Sequence, residues 1–221
     1  NVMDFNNPPP NPDDYTRNFR KDIGLEDGEL LVLQPTRVVK RKRIELAINL
    51  IHHLERKASL VITHSSNDEG TKYAEWLNYF SERLGIRTIF VADIIGTSRG
   101  INSEGKRIYT LADIYDQADI VTFPSGNEGF GNAFLEAVYY KKPLVVNNYA
   151  TYHTDIKPKG FKTIEIDGFV NQDTIDHVKN ILNDKQTRND MAQHNYNLAQ
   201  KYFSYDVLNK KLQYLIEDFF D

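Results

Sequence analysis

Residues 118–149, ADIVTFPSGNEGFGNAFLEAVYYKKPLVVNNY, leave few folds open to this chain. Ile120, Val121 and Phe123 form a short apolar run that stops at Pro124-Ser125-Gly126, as a buried strand does. Gly129 and Gly131 permit a tight turn in which backbone amides face one point. A helix is predicted from near Asn132, with Ala133, Phe134, Ala137 and Val138 on its buried side. Lys141 and Lys142 suit the negative end of that helix, and Pro143 stops it. Leu144, Val145 and Val146 make the next strand. A glycine loop that leads into a helix N-terminus is a ready anion site, because free N–H groups and the positive end of the helix dipole meet there.

Two glutamates add to that cradle. Glu128 precedes the first glycine, and Glu136 follows eight residues later in the first turns of the helix. A carboxylate beside a bound phosphate would repel it, so both are expected to face hydroxyl groups. An ionised carboxylate only accepts, and it can take two O–H donors from a ribose or a hexose. Each glutamate alone also has a plainer reading, as a first-turn acid or a solvated turn residue.

The rest of the chain alternates strands and helices. Strands are predicted over 30–33, 60–63, 86–91, 144–146 and 161–166, with the 120–123 strand making six. Helices are predicted over 19–25, 44–55, 71–84, 107–117, 173–182 and 186–201, with a last helix after residue 206. Trp76 and its neighbours are expected in the core, Asp113 and Asp116 in solvent, and an acid at the start of the 173–182 helix as its cap. Residues 92–106 form a long polar loop. The pattern predicts an α/β fold: a doubly wound, parallel six-stranded sheet with helices on both faces. Ligands in such sheets bind where the strand order reverses, at the carboxyl ends.

Residues 37–43 hold five cations in seven residues, at the start of a predicted helix. Cations are unfavourable at that end of the dipole, so something anionic is expected beside them. Lys40, Arg41 and Arg43 read as solvated, and His64 as polar surface. Prolines 8, 9, 10 and 12 exclude a helix or central strand at the N-terminus. The net charge of −4 advertises neither nucleic acid nor anionic lipid as a partner. There is no cysteine, which rules out disulfides and thiolate metal sites and suits a reducing, cytoplasmic setting. No apolar run approaches the ~18 residues of a membrane span.

The segment from Ala118 through Glu128-Gly-Phe-Gly-Asn-Ala-Phe-Leu-Glu136-Ala resembles the Glu-x7-Glu signature of retaining glycosyltransferases with the GT-B fold (glycosyltransferase family 4). The resemblance implies that residues 1–18 are an interdomain linker and that 19–221 are the nucleotide-sugar donor-binding domain, a Rossmann-like half. The other half, an N-terminal acceptor domain and the only route to a peripheral membrane contact, is then missing from this chain. It implies transfer of a hexose from a UDP- or GDP-hexose to a hydroxyl acceptor, with retention and without a metal or other cofactor. Arg37 and Lys42 match the family's strand-end arginine and following lysine, which hold the donor diphosphate. Glu128 would hold sugar hydroxyls and Glu136 the ribose. Gly129, Phe130, Gly131, Asn132 and Ala133 would bring backbone to the diphosphate and hexose, and Ile95 and Gly96 would lie near the base. The sequence departs from the family at Thr36 and Arg43, where glycines are usual. It departs again at 147–155, where Tyr152, His153 and Asp155 either take over a contact or mark a divergent loop.

Other classes stay open on the same architecture. A nicotinamide enzyme would need GxGxxG after the first strand, where this chain has Gln34-Pro-Thr-Arg-Val-Val. A non-catalytic nucleotide-sugar-binding module and a sugar-nucleotide epimerase are the remaining alternatives.

Overall fold

The computed structural model describes residues 1–65 and 71–220, without the side chains of Phe219 and Phe220. In chain order the elements are α1 (Asp14–Asp22), β1 (Leu30–Gln34), α2 (Ile44–His53), β2 (Ala58–Ile62), α3 (Thr71–Arg83) and β3 (Arg87–Phe90). There follow β4 (Gly100–Ile101), β5 (Arg107–Ile108), α4 (Leu111–Gln117), β6 (Ile120–Phe123), α5 (Asn132–Tyr139) and β7 (Leu144–Asn147). The chain ends with β8 (Ile164–Ile166), α6 (Gln172–Asn183), α7 (Lys185–Phe203) and α8 (Tyr205–Phe220).

Among the described residues six strands form one parallel sheet in the order β3-β2-β1-β6-β7-β8. Successive strand residues face opposite sides, so a continuous apolar run is buried twice over. Leu31, Leu33, Val121, Phe123, Leu144 and Val146 pack one face against α1, α4, α5 and α7. Leu30, Val32, Leu60, Ile62, Ile120 and Val145 pack the other against α2, α3 and α6. The doubly wound sheet expected from the alternating pattern is therefore present, with every predicted sheet strand in place.

Several expectations change. The helix predicted over 19–25 starts at Asp14, capped by the Asp13 carboxylate, which accepts from the Thr16 N–H. The proline arm before it is packed: Phe5 is buried between the rings of Tyr139 and Tyr196. The long loop after β3 holds a short antiparallel pair, β4 with β5, and α4 begins only at Leu111. Asn171, not an acid, caps α6. Trp76 is 45% exposed rather than in the core. It lies stacked between Tyr73 and Phe80 along the outside of α3. The helix covers the edge strand β3, which offers it a narrow apolar surface, so only Leu77 and Ser81 on α3 are buried. Leu208, Leu212, Leu215 and Ile216 on α8 are exposed. No helix among the described residues is long and apolar enough to cross a membrane.

Asp113 was expected in solvent and is buried. It is the third residue of a capping box with Thr110 at the start of α4. Its carboxylate also accepts from Thr16 (2.8 Å) and from the Arg99 guanidinium (3.1 Å), which reaches on to Asp13. Burial pushes the Asp113 carboxyl up, but the bonds from Arg99, Thr110 and Thr16 outweigh it and hold the group below its usual value. A carboxyl lowered on folding stabilises the protein at pH values above its unfolded pKa, and that stability is lost as pH falls through the folded one. Asp113→Ala removes the buried acceptor of Thr110 and leaves Arg99 and Thr16 with Asp13 alone. It is expected to cost about 3 kcal/mol by denaturant unfolding at neutral pH. The wild-type advantage is expected to shrink below about pH 4.

Candidate active-site cleft

The order of the sheet reverses between β1 and β6, since β1 connects onward to β2 on one side and β6 to β7 on the other. At the carboxyl ends of these two strands lies a cleft of about 540 Å3. Arg37, Lys42 and His64 line one wall, and Glu128, Gly131, Asn132, Ala133 and Glu136 the other.

The basic wall is built by the turn after β1. Arg37 is exposed into the cleft. Lys42 is buried, lies 5.3 Å from the centroid of the Phe123 ring and donates to the Glu128 carboxylate. Burial lowers the Lys42 ammonium, and its pairing with Glu128 only partly offsets this. Arg41, expected to be solvated, also donates to Glu128 at 2.8 Å, and its carbonyl accepts from the Gly126 N–H at 2.9 Å. The turn after β1 is thus stitched to the turn after β6. Arg43, where the resembled family has glycine, takes a left-handed conformation with φ of 51°. The turn keeps the shape a glycine would give and accepts the strain of a side chain there. Thr36, at the other departure, is buried and accepts from the Gln34 amide, whose oxygen accepts from Thr122 on β6.

The opposite wall is the glycine loop and the start of α5. Gly131 has φ of 90°, and a Cβ there would come within 2.6 Å of the Phe123 ring. Only glycine fits that approach. No side chain caps α5, so the first N–H groups of the helix remain open where Gly131, Asn132 and Ala133 meet the cleft. Gly129 is exposed, and the Phe130 ring packs away from the cleft against Phe134 and Phe203. The loop is pinned from behind: Tyr149 donates to the Phe130 carbonyl (2.8 Å) and Thr151 to the Glu128 carbonyl (3.0 Å).

Glu136 stands at the far end of this wall. Burial pushes its carboxyl up, while a hydrogen bond from the Tyr115 hydroxyl (2.8 Å) pulls it down by less. His64, read from the sequence as polar surface, is half-buried in the basic wall. Burial and the charges of Arg37 and Lys42 hold its imidazole below the usual value, and its Nδ1 bonds the Thr63 hydroxyl at 2.6 Å.

The cleft therefore brings together Arg37, Lys42, Glu128, Gly131, Asn132, Ala133 and Glu136, which are up to 99 residues apart in the chain. Ile95 and Gly96 are not among its lining. Gly96 donates to the Tyr109 carbonyl and is crowded by Ile108, and the connection is represented in the cleft by Leu111. Tyr152 is buried with its hydroxyl on Thr163, and His153 and Asp155 are exposed outside the cleft. Sequence reasoning missed Arg41, His64 and Tyr115. The run of five cations was a signal for Arg41, whereas nothing local marked Tyr115 as a partner of Glu136. Among the described residues no group of three or more His, Asp or Glu side chains is placed to hold a metal. Chemically, the site offers three cations and open helix amides for a dianion, beside two carboxylates that can take hydroxyl donors.

Comparison with known proteins agrees with this architecture. Residues 105–198 match the family described as glycosyl transferases group 1. The mannosylglucosylglycerate synthase of Petrotoga mobilis is 32% identical over 75% of this chain and 42% of its own length. That of Thermotoga maritima is 26% identical over 94% of this chain and 53% of its own length. The chain thus spans about half the length of these curated relatives. In fold, the crystal structure of Anabaena HepE in complex with UDP-glucose superposes with a TM-score of 0.79 at 16% identity, over 99% of this chain and 56% of that one. With the switch-point sheet and the cleft described above, these matches identify a GT-B-fold glycosyltransferase domain, in which residues 105–198 carry the match to the group 1 family.

Proposed function

We propose that the protein binds a nucleoside-diphosphate hexose in this cleft and transfers the hexose, with retention, to a hydroxyl group on an acceptor. The observation that carries this reading is the convergence at one switch point of Arg37 and Lys42 with the open N-terminus of α5 and the two glutamates. The UDP and UDP-glucose bound to HepE, which shares this fold, and the names of the two relatives, each a mannosylglucosylglycerate synthase, support the same reading.

The roles follow from the chemistry. When the C1–O bond to the diphosphate breaks, negative charge gathers on phosphate and positive charge on the sugar ring. Arg37, Lys42 and the amides of Gly131 to Ala133 stabilise the phosphate charge in a partly buried site, where such donors are worth most. Glu128 accepts from sugar hydroxyls and favours the cationic ring. Glu136 accepts from the ribose. In a front-face reaction the acceptor oxygen bonds to C1 on the side the phosphate leaves, and its proton passes to the departing phosphate oxygen. An acceptor domain across the cleft would complete the enzyme, with residues 1–18 as the connection. The exposed apolar face of α8 lies ready for such a contact.

Arg37→Ala is expected to weaken UDP- or GDP-hexose binding about tenfold by calorimetry, with no change in melting temperature, because Arg37 is exposed and its charge-assisted bonds form only with ligand. Gly131→Ala is expected to abolish binding and to lower the melting temperature, since its Cβ meets Phe123. Removal of divalent metal by a chelator is expected to leave turnover unchanged. Absence of any nucleotide binding, in this chain and with an acceptor domain supplied, would overturn the reading.

The Glu136 carboxyl also predicts a pH profile. Its pKa is raised in the free protein, and bound hydroxyl donors favour the carboxylate, so binding releases a proton between the two values. Affinity for a nucleotide sugar, whose own diphosphate does not titrate in this range, should rise with pH through that window and then level off. Glu136→Gln should flatten the curve.

A further inference from the structure

We propose that Tyr115 is a positioning residue: it clamps Glu136 so that one carboxylate oxygen faces the cleft, and so sets the preference of the site for ribonucleotides over deoxyribonucleotides. The proposal rests on the nucleotide-sugar reading above.

Glu136 projects from the first turns of α5 on a flexible side chain, and nothing on its own helix fixes it. Among the described residues Tyr115 is its hydrogen-bond partner, donating to Oε2 at 2.8 Å. Tyr115 comes from α4, at the back of the cleft, and is fully buried. Its ring stacks on that of Tyr140, with centroids 5.0 Å apart and planes 13° from parallel, so the hydroxyl cannot swing aside. Burial, foremost, and the Glu136 charge hold the phenol proton on, so at working pH this hydroxyl only donates. One carboxylate oxygen is thereby occupied from behind, and the other is left for a ligand. An acceptor fixed in this way recognises a hydroxyl donor, and a sugar lacking that hydroxyl leaves it unpaired in a half-buried place.

The same bond favours the ionised form of the group. Burial pushes the Glu136 carboxyl up and Tyr115 opposes that shift. The other charged or titratable groups around Glu136 are Tyr140 behind it and Arg37, Arg41, Lys42, His64 and Glu128 across the cleft. Without the phenol hydroxyl, Glu136 would be both looser and more easily protonated. A protonated carboxyl can turn its own O–H toward the ligand and lose the distinction.

Tyr115→Phe tests this while keeping the ring and its stack. The probes are uridine and guanosine diphosphates and their 2′,3′-dideoxy counterparts, titrated calorimetrically into wild type, Y115F, E136Q and the double variant, with melting curves run alongside. Wild type should prefer a ribonucleotide by about tenfold. Y115F should lose most of that preference by weakening the ribonucleotide alone, and the double variant should be no worse than E136Q. Lowering the pH should abolish the wild-type preference, and in Y115F any residual preference should vanish at a higher pH. The inference is overturned if Y115F keeps the full preference, or weakens both sugars alike as a merely structural lesion would. Wild type that binds ribo- and dideoxynucleotides equally, or neither, overturns the ribose or nucleotide reading itself, and the inference falls with it.

Discussion

Two adjacent parallel strands with diverging connections decide where this protein works. From β1 the chain turns toward β2, and from β6 toward β7, so the segments that follow leave in opposite directions and open a crevice at the sheet's carboxyl edge. Right-handed crossovers then place α2 on one face and α5 on the other. The basic turn after β1 and the glycine loop after β6 are thus forced to face each other, whatever their separation in sequence.

The two walls of the cleft neutralise each other. Lys42 and Arg41 both donate to Glu128, and the Gly126 N–H closes onto the Arg41 carbonyl. A buried ammonium without a partner would be costly, so the carboxylate is part of what lets Lys42 stay charged there. An arriving diphosphate offers the same cations a second acceptor. Lys42 has three protons and can serve both, which couples the phosphate end of a ligand to the carboxylate expected to meet its sugar. The same economy appears in Arg43, which holds a left-handed turn without glycine because the stitched loops on both sides fix its backbone.

Buried polar groups away from the cleft show what local pattern reading misses. Asp113 looked like a solvated helix acid because the apolar Leu111, Ala112, Ile114 and Tyr115 around it read as the inward side of the helix. Its fate was decided by Arg99, 14 residues earlier, and by Thr16 on α1, nearly a hundred residues away. Trp76 erred the other way. Its spacing with Tyr73, Leu77 and Phe80 is that of a core stripe, but α3 sits over an edge strand and has too little apolar surface to cover all four.

Most of the fold was legible in the sequence: six apolar runs with turn chemistry at their ends, and helices of the right length between them. So was the pairing of a glycine loop with a helix start, because glycine, proline and alternating apolar residues act locally through backbone sterics and burial. Glu128, Gly131 and Glu136 could be singled out from their place in that loop, and Arg37 and Lys42 from the resemblance to retaining GT-B glycosyltransferases. Only the tertiary structure decided which of them share a cleft with His64 and Arg41. It also placed Ile95 and Gly96 outside that cleft, and put a buried tyrosine from another helix behind Glu136. Those outcomes turn on contacts between residues tens of positions apart. They depend on strand order and on the depth to which each helix packs, and no local pattern along the chain records either.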